Sequence, residues 1–217
     1  MENVNLNQVE YYASRAGEYE KVYEKPERQA DLEKIKIYLK EIFKSRNVYE
    51  IACGTGYWTQ YISETALAIT ATDINNQVLE IARNKNYQIQ VVFRNDDIFH
   101  LTKDNEDYNA GFGGFIWSHI PKQDLHVFLK SFVENIATGG TIVFLDNQFS
   151  EGSSTPVNKF DDDGNSYQIR QLLNGNKFQI LKNFPEDSEI TQVVRPFATN
   201  IKIVRWQYYW LLEFIKH

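Results

Sequence analysis

Glu50-Ile51-Ala52-Cys53-Gly54-Thr55-Gly56-Tyr57-Trp58-Thr59 runs from a short apolar stretch into two glycines and then into helix-forming sequence. The apolar run 48–52 reads as a β-strand and 57–64 as a helix, so the glycines form the turn between them. Such a turn lets backbone approach a ligand closely, and the helix start offers unpaired N–H groups to a carboxylate or phosphate. The third glycine of the dinucleotide fingerprint is missing, because Thr59 holds its place. Asp73 closes the next apolar run, 17 residues after Gly56. An acid there is placed to accept hydrogen bonds from both hydroxyls of an adenosine ribose.

Working outward, 31–44 puts Leu32, Ile35, Leu39, Ile42 and Phe43 on one helical face. Strands are predicted over 66–72, 88–93 and 108–117, the last rich in glycine. Asn75 reads as the N-cap of a helix over 76–84. Pro121 opens a helix carrying Leu125, Phe128, Leu129, Phe132, Val133 and Ile136 on one side. Thr138-Gly139-Gly140 is expected to end that helix before a fifth strand over 141–145. This alternation of strand and helix predicts an α/β fold with a parallel sheet covered on both faces. Beyond Asn147 the pattern turns antiparallel. The segments 166–172 and 177–182 flank Asn174-Gly175, a hairpin turn signal. A helix over 185–194 and an aromatic, strand-like 200–215 follow. One domain over 1–217 accommodates all of this, with 151–183 as a hairpin insertion after strand five.

The 217 residues carry 23 basic and 29 acidic side chains, a net charge of −6. That balance argues against nucleic acid as a partner. No apolar run reaches the roughly 18 residues a membrane span needs, and the first residues lack a secretory pattern. A cytoplasmic location and no membrane partner are expected. One cysteine and four histidines give no metal-ligand spacing, so no metal is expected.

Glu50-x-x-Cys53-Gly54-Thr55-Gly56 followed by Asp73 resembles the class I S-adenosylmethionine (SAM)-dependent methyltransferases. The resemblance covers about 48–147. It implies a Rossmann-like sheet of seven strands, mostly parallel, with an antiparallel last strand. It also implies that Gly54 and Gly56 pass under the methionine part of SAM, and that Glu50, Ala52, Cys53, Thr55, Trp58 and Gly114 are cofactor-binding residues beside them. Asp73 would then hold the ribose, and Ile74 would pack on the adenine. Asp97 in Asn95-Asp96-Asp97-Ile98-Phe99 would bond the adenine amino group beside Ile98, with Asp96 as a substitute. Ser118-His119-Ile120-Pro121 is similar to the pattern of small-molecule members at the fourth strand end. Tyr11-Tyr12-x-x-Arg15-Ala16-x-Glu18-Tyr19 resembles their N-terminal lid, over 1–30, in which Tyr11 and Tyr19 close over the SAM carboxylate.

In that frame the protein transfers a methyl group from SAM to a small-molecule oxygen or nitrogen nucleophile, releasing S-adenosylhomocysteine (SAH). It would act as a monomer or homodimer. His119 follows the fourth strand and is the candidate base for the nucleophile's proton. Its other reading is structural, capping the next helix or bonding loop backbone. Trp117, Asn147, Tyr167 and Arg170 are the candidate substrate contacts, with Arg170 suited to a carboxylate. Two other functions fit the same pattern: a non-catalytic SAM-binding protein, and an NAD(P)-dependent oxidoreductase, which Thr59 disfavours.

Overall fold

A computed structural model describes residues 2–103 and 107–217, with side chains described from Gln8 onward. Its centre is a seven-stranded sheet in the order β3-β2-β1-β4-β5-β10-β9. The strands are β1 (Asn47–Ile51), β2 (Ala68–Asp73), β3 (Val91–Asn95), β4 (Tyr108–Gly114), β5 (Ile136–Asn147), β9 (Ala198–Arg205) and β10 (Tyr209–Lys216). Pairings among β1 to β5 are parallel, and β10 runs antiparallel to both β5 and β9. This is the expected Rossmann-like architecture. The chain leaves β1 toward β2 and β3, then returns to add β4 and β5 on the other side. The carboxyl ends of β1 and β4 therefore border the crevice where the order reverses.

Strand alternation divides the core into two layers. Val48, Val143 and Leu145 point toward α2 (Gln29–Ile42), α3 (Tyr57–Ser63) and α4 (Asn76–Arg83), against Leu32, Ile35, Ile62 and Leu79. Tyr49, Ile51, Ile142 and Phe144 point the other way. They pack with Phe128 and Phe132 of α5 (Leu125–Val133) and Ile190 of α6 (Asp187–Val194). Each such side chain contributes about 1.5–3 kcal/mol by burial. The glycines of β4 admit the second layer: a Cβ at Gly113 would lie 2.7 Å from the Phe144 ring, and one at Gly111 2.8 Å from Phe132.

A separate three-stranded antiparallel sheet forms from β6 (Lys159–Phe160), β7 (Ser166–Gln171) and β8 (Lys177–Leu181). It is the expected hairpin with a short third strand added. Helix α1 (Glu2–Ser14) packs on it, Tyr11 meeting Leu172 and Ile180. A 3-10 segment, Ala16–Tyr23, continues from α1 over the crevice.

Two local expectations change. Ile136 belongs to β5, paired with Tyr108, and α5 stops at Val133. Gly139-Gly140 does not end a helix; it lies inside β5, where the β4 register shifts. Asn75 does stand at the N-cap position of α4, but its side chain makes no cap. Its amide donates to Val9 O of α1 at 2.9 Å, a tertiary use that outcompetes the local one.

Candidate active site

The glycine loop begins where β1 ends. Gly54 and Gly56 have φ of 56° and 76°, the left-handed region that glycine enters freely. A Cβ at Gly56 would also strike the Tyr87 hydroxyl. Two other residues adopt left-handed backbone at the crevice: Ala52 (φ 50°) after β1 and Phe115 (φ 60°) after β4. Strain at both strand ends costs about 1–2 kcal/mol per residue and is typical of ligand clamps. Asp73 ties the loop down. Its Oδ2 accepts from Gly54 N at 2.9 Å, and its Oδ1 accepts from Asn75 N at 2.9 Å. Burial pushes its carboxyl up to about 6, against the pull of these N–H groups.

A cavity of about 650 Å³ opens above the loop, within the usual range for small-molecule sites. Ala52, Gly54, Asp73, Ile74, Asp97, Ile98 and Gly114 line it. The Asp97 carboxylate is engaged locally: Oδ1 accepts from Phe99 N at 3.0 Å, and Oδ2 lies 3.3 Å from His100 Nδ1. A second cavity of about 440 Å³ lies under the insertion, lined by Tyr11, Asn147, Gln168, Arg170 and Lys182 among others. Tyr12, Tyr19, Phe115 and His119 line both cavities, so the two chambers meet at these side chains.

The junction is rigidly held. His119 Nδ1 lies 2.6 Å from Leu181 O on β8, and a carbonyl accepts only, so Nδ1 carries the proton. Nε2 is then an acceptor, 2.7 Å from the Tyr12 hydroxyl, which donates to it. Burial drives the imidazole well below its ordinary 6.5, and the Lys182 and Arg170 charges push the same way. His119 is therefore neutral at physiological pH. Beneath it, the Lys182 ammonium donates to Asp146 Oδ1 at 2.8 Å and Ser118 Oγ at 2.6 Å. Burial lowers this lysine to about 8, while Asp146 opposes the shift. Asp146 also accepts from Ser118 N at 2.9 Å and Asn147 N at 2.7 Å. Glu50 lies buried at the end of β1, its Oε2 without a hydrogen-bond partner among the described residues. Burial raises it to about 8, the Thr59 hydroxyl opposing and the Asp73 charge adding. It is mostly protonated at neutral pH.

Residues 48–140 match the profile of the family described as "Methyltransferase domain". The matched segment is somewhat under half of the chain and is similar to that family. Over the whole chain, the methyltransferase fold superposes on a solved "DhpI-SAH complex structure" with a TM-score of 0.82. That match has 23% identity and covers 100% of this chain and 98% of the other. The magnesium protoporphyrin IX methyltransferase of Synechocystis, solved with bound SAM, aligns at a TM-score of 0.57 and 13% identity, over 88% of this chain and 80% of that one. These likenesses are of fold. Among curated sequences, the ubiquinone biosynthesis O-methyltransferase of Coxiella burnetii is 23% identical over 103 residues, 46% of this chain and 43% of that protein. The malonyl-[acyl-carrier protein] O-methyltransferase of Priestia megaterium is 29% identical over 100 residues, 45% of this chain and 35% of that protein. The chain matches less than half the length of these curated relatives.

Within the methyltransferase domain and its additions, the sequence-predicted residues fall into three groups. Ala52, Gly54, Asp73, Ile74, Asp97, Ile98, Gly114 and Tyr19 face the first chamber; Tyr11, Asn147 and Arg170 face the second. Tyr11 thus stands on the other side of the junction from the loop it was expected to serve. Glu50, Cys53, Thr55, Gly56 and Trp58 lie outside both chamber walls. Thr55 Oγ1 donates to Glu20 Oε1 at 2.6 Å, Trp58 Nε1 to Tyr23 Oη at 3.2 Å, and the Cys53 carbonyl accepts from Gly56 N at 3.0 Å. Trp117 and Tyr167 line neither chamber. The Trp117 ring is core, 5.2 Å from Phe144 and 5.9 Å from Trp210, and the Tyr167 hydroxyl donates to Asp161 at 2.9 Å. Phe115 and Lys182 are additions. A lysine directly after Ile180-Leu181, at the end of a strand, is the one sequence cue for the latter.

Proposed function

We propose that the protein is a SAM-dependent methyltransferase that transfers the methyl group to a small-molecule oxygen or nitrogen nucleophile. The observation that carries this reading is the pair of chambers meeting at Tyr12, Tyr19, Phe115 and His119. One chamber has the loop, ribose acid and apolar walls suited to SAM; the other holds the acceptor. Similarity to proteins named as O-methyltransferases supports an oxygen nucleophile. Bound SAM supplies an activated methyl group, so the chain's task is alignment, water exclusion and proton removal. Asp73 receives the ribose hydroxyls on the lone pairs its backbone bonds leave unused. Gly54 and Gly114 leave room for the methionine part, while Ile74 and Ile98 flank the adenine near Asp97. The aromatic rings of Tyr12, Tyr19 and Phe115 shield the reacting centre and favour a sulfonium cation.

His119 takes the nucleophile's proton on Nε2, directly or through the Tyr12 hydroxyl that bonds it. The Leu181 carbonyl fixes the tautomer for that task. Because its folded pKa lies well below 6.5, the imidazole stays competent as an acceptor through mildly acidic pH. Calorimetry should show binding of SAM and SAH and none of NAD; NAD binding without SAM binding would sink the reading. With an acceptor found by metabolite screening, His119→Ala should cut the methylation rate about 100-fold. SAH affinity should stay within about threefold. The acid limb of the wild-type rate profile should fall below pH 6.5. Equal rates for the variant would leave His119 a structural residue.

A further inference from the structure

The wall of the second chamber is cationic in a chain whose net charge is −6. Arg15, Lys25, Arg28, Arg170 and Lys182 face it, and among the described residues Glu18 is the one acid on that wall. These cations are not equivalent. Lys182 is paired with Asp146. Lys25 and Arg28 are tied to the Ser153 carbonyl at 2.8 and 3.2 Å. Ser153 in turn donates from Oγ to Glu27 at 2.8 Å.

Arg170 and Arg15 are held by neutral groups around the Tyr11 ring. Arg170 donates to Gln168 Oε1 from Nη2 at 3.0 Å and from Nε at 3.3 Å, and its Nη1 lies 3.4 Å from the Tyr12 hydroxyl. Arg15 Nη1 donates to the Tyr11 hydroxyl at 2.9 Å. Both guanidiniums also rest near the buried Tyr11 ring, at 5.8 and 6.0 Å from its centroid. Both side chains are only partly exposed, and at Arg170 burial carries a desolvation cost that neutral partners only partly offset. A guanidinium is a planar fork that matches the two oxygens of a carboxylate or phosphate.

We propose that the acceptor is a small organic acid whose carboxylate- or phosphate-type group binds between Arg170 and Arg15 on the Tyr11 ring. The spacing also limits its length. Tyr12 bonds Arg170 on one side and His119 on the other, so an anionic group on Arg170 lies three hydrogen bonds from the proton acceptor His119 and two from the Tyr12 hydroxyl that relays to it. The nucleophilic atom then sits only a few bonds from the acid group. This inference rests on the methyltransferase reading for its geometry at the junction, but the anion subsite is measurable separately.

The test is calorimetry on SAH-loaded protein with glycolate, inorganic phosphate and the uncharged glycolamide as probes. Glycolate or phosphate should bind at least about tenfold more tightly than glycolamide, and whichever anion binds more tightly assigns the head group as carboxylate or phosphate. Arg170→Gln should weaken the preferred anion by at least about tenfold, with Arg170→Lys intermediate and SAH affinity unchanged. Arg15→Gln, at the half-exposed end of the subsite, gives a second variant should Arg170→Gln fail to fold; it should weaken the same anion. Equal affinity for glycolamide, or anion affinity untouched in both variants, would overturn the proposal. Titrating SAH first separates the two readings: absence of SAH binding defeats the methyltransferase assignment, while anion titration of the unloaded protein still reports on Arg170.

Discussion

Asp73→Ala lowers SAH affinity about 100-fold or more, as read by calorimetry at pH 8. The carboxylate has two jobs, and the substitution removes both. It receives the ribose hydroxyls in the proposed complex, and it accepts the backbone N–H groups of Gly54 and Asn75 that set the loop. Hydrogen bonds to a charged acceptor are worth about 1.5–3 kcal/mol each, and two lost at the ligand give the expected factor. Asp73→Asn keeps one acceptor and should lose about tenfold. The wild type should show its own dependence on pH. Burial puts the carboxyl at about 6, so protonation below that value removes acceptor capacity and weakens SAH at pH 5 relative to pH 8. Unchanged affinity in Asp73→Ala would refute the ribose assignment.

Lys182→Met should be strongly destabilising. The Lys182 and Asp146 side chains are 3% and 0% exposed, and their ion pair is 2.8 Å long. Removing the ammonium leaves Asp146 with two backbone N–H donors and no counter-charge. Breaking a buried pair in this way typically costs about 3–5 kcal/mol. For a chain of this size that is a fall in Tm of roughly 10 °C, measurable by circular dichroism. The double variant Lys182→Met/Asp146→Leu should regain most of the loss, because the uncompensated charge is gone. A fall below about 2 °C in the single variant would mean that Asp146 finds other compensation.

Much of this architecture is legible in one dimension because it repeats. Val48, Tyr49 and Ile51 divide between the two core layers as strand period demands, and the glycine loop follows directly from them. Asp73 is legible for the same reason, since it closes the neighbouring strand. What escapes is pairing at a distance. Nothing local joins Lys182 to Asp146, 36 positions earlier, or Tyr12 to His119, 107 positions later. Ile136 misleads because it continues the helical spacing of Phe128, Leu129, Phe132 and Val133, while its burial comes from pairing with Tyr108. Trp117 misleads differently. Position alone sets it beside the crevice, but the 3-10 turn Trp117–His119 swings its ring into the core and His119 to the junction.

Helix α1 bears on the order in which this molecule assembles. Gln8 reaches the His119 carbonyl across 111 positions, Asn75 reaches the Val9 carbonyl across 66, and Arg170 reaches Tyr12 across 158. Contacts of such separation close large loops, and their entropy is spent before they return any stability. During synthesis, α1 emerges before the strands of the insertion on which it rests. The sheet from β1 to β5 can condense on nearer contacts while this helix waits. The aromatic junction is then completed late, by a segment from the beginning of the sequence meeting one from its final quarter.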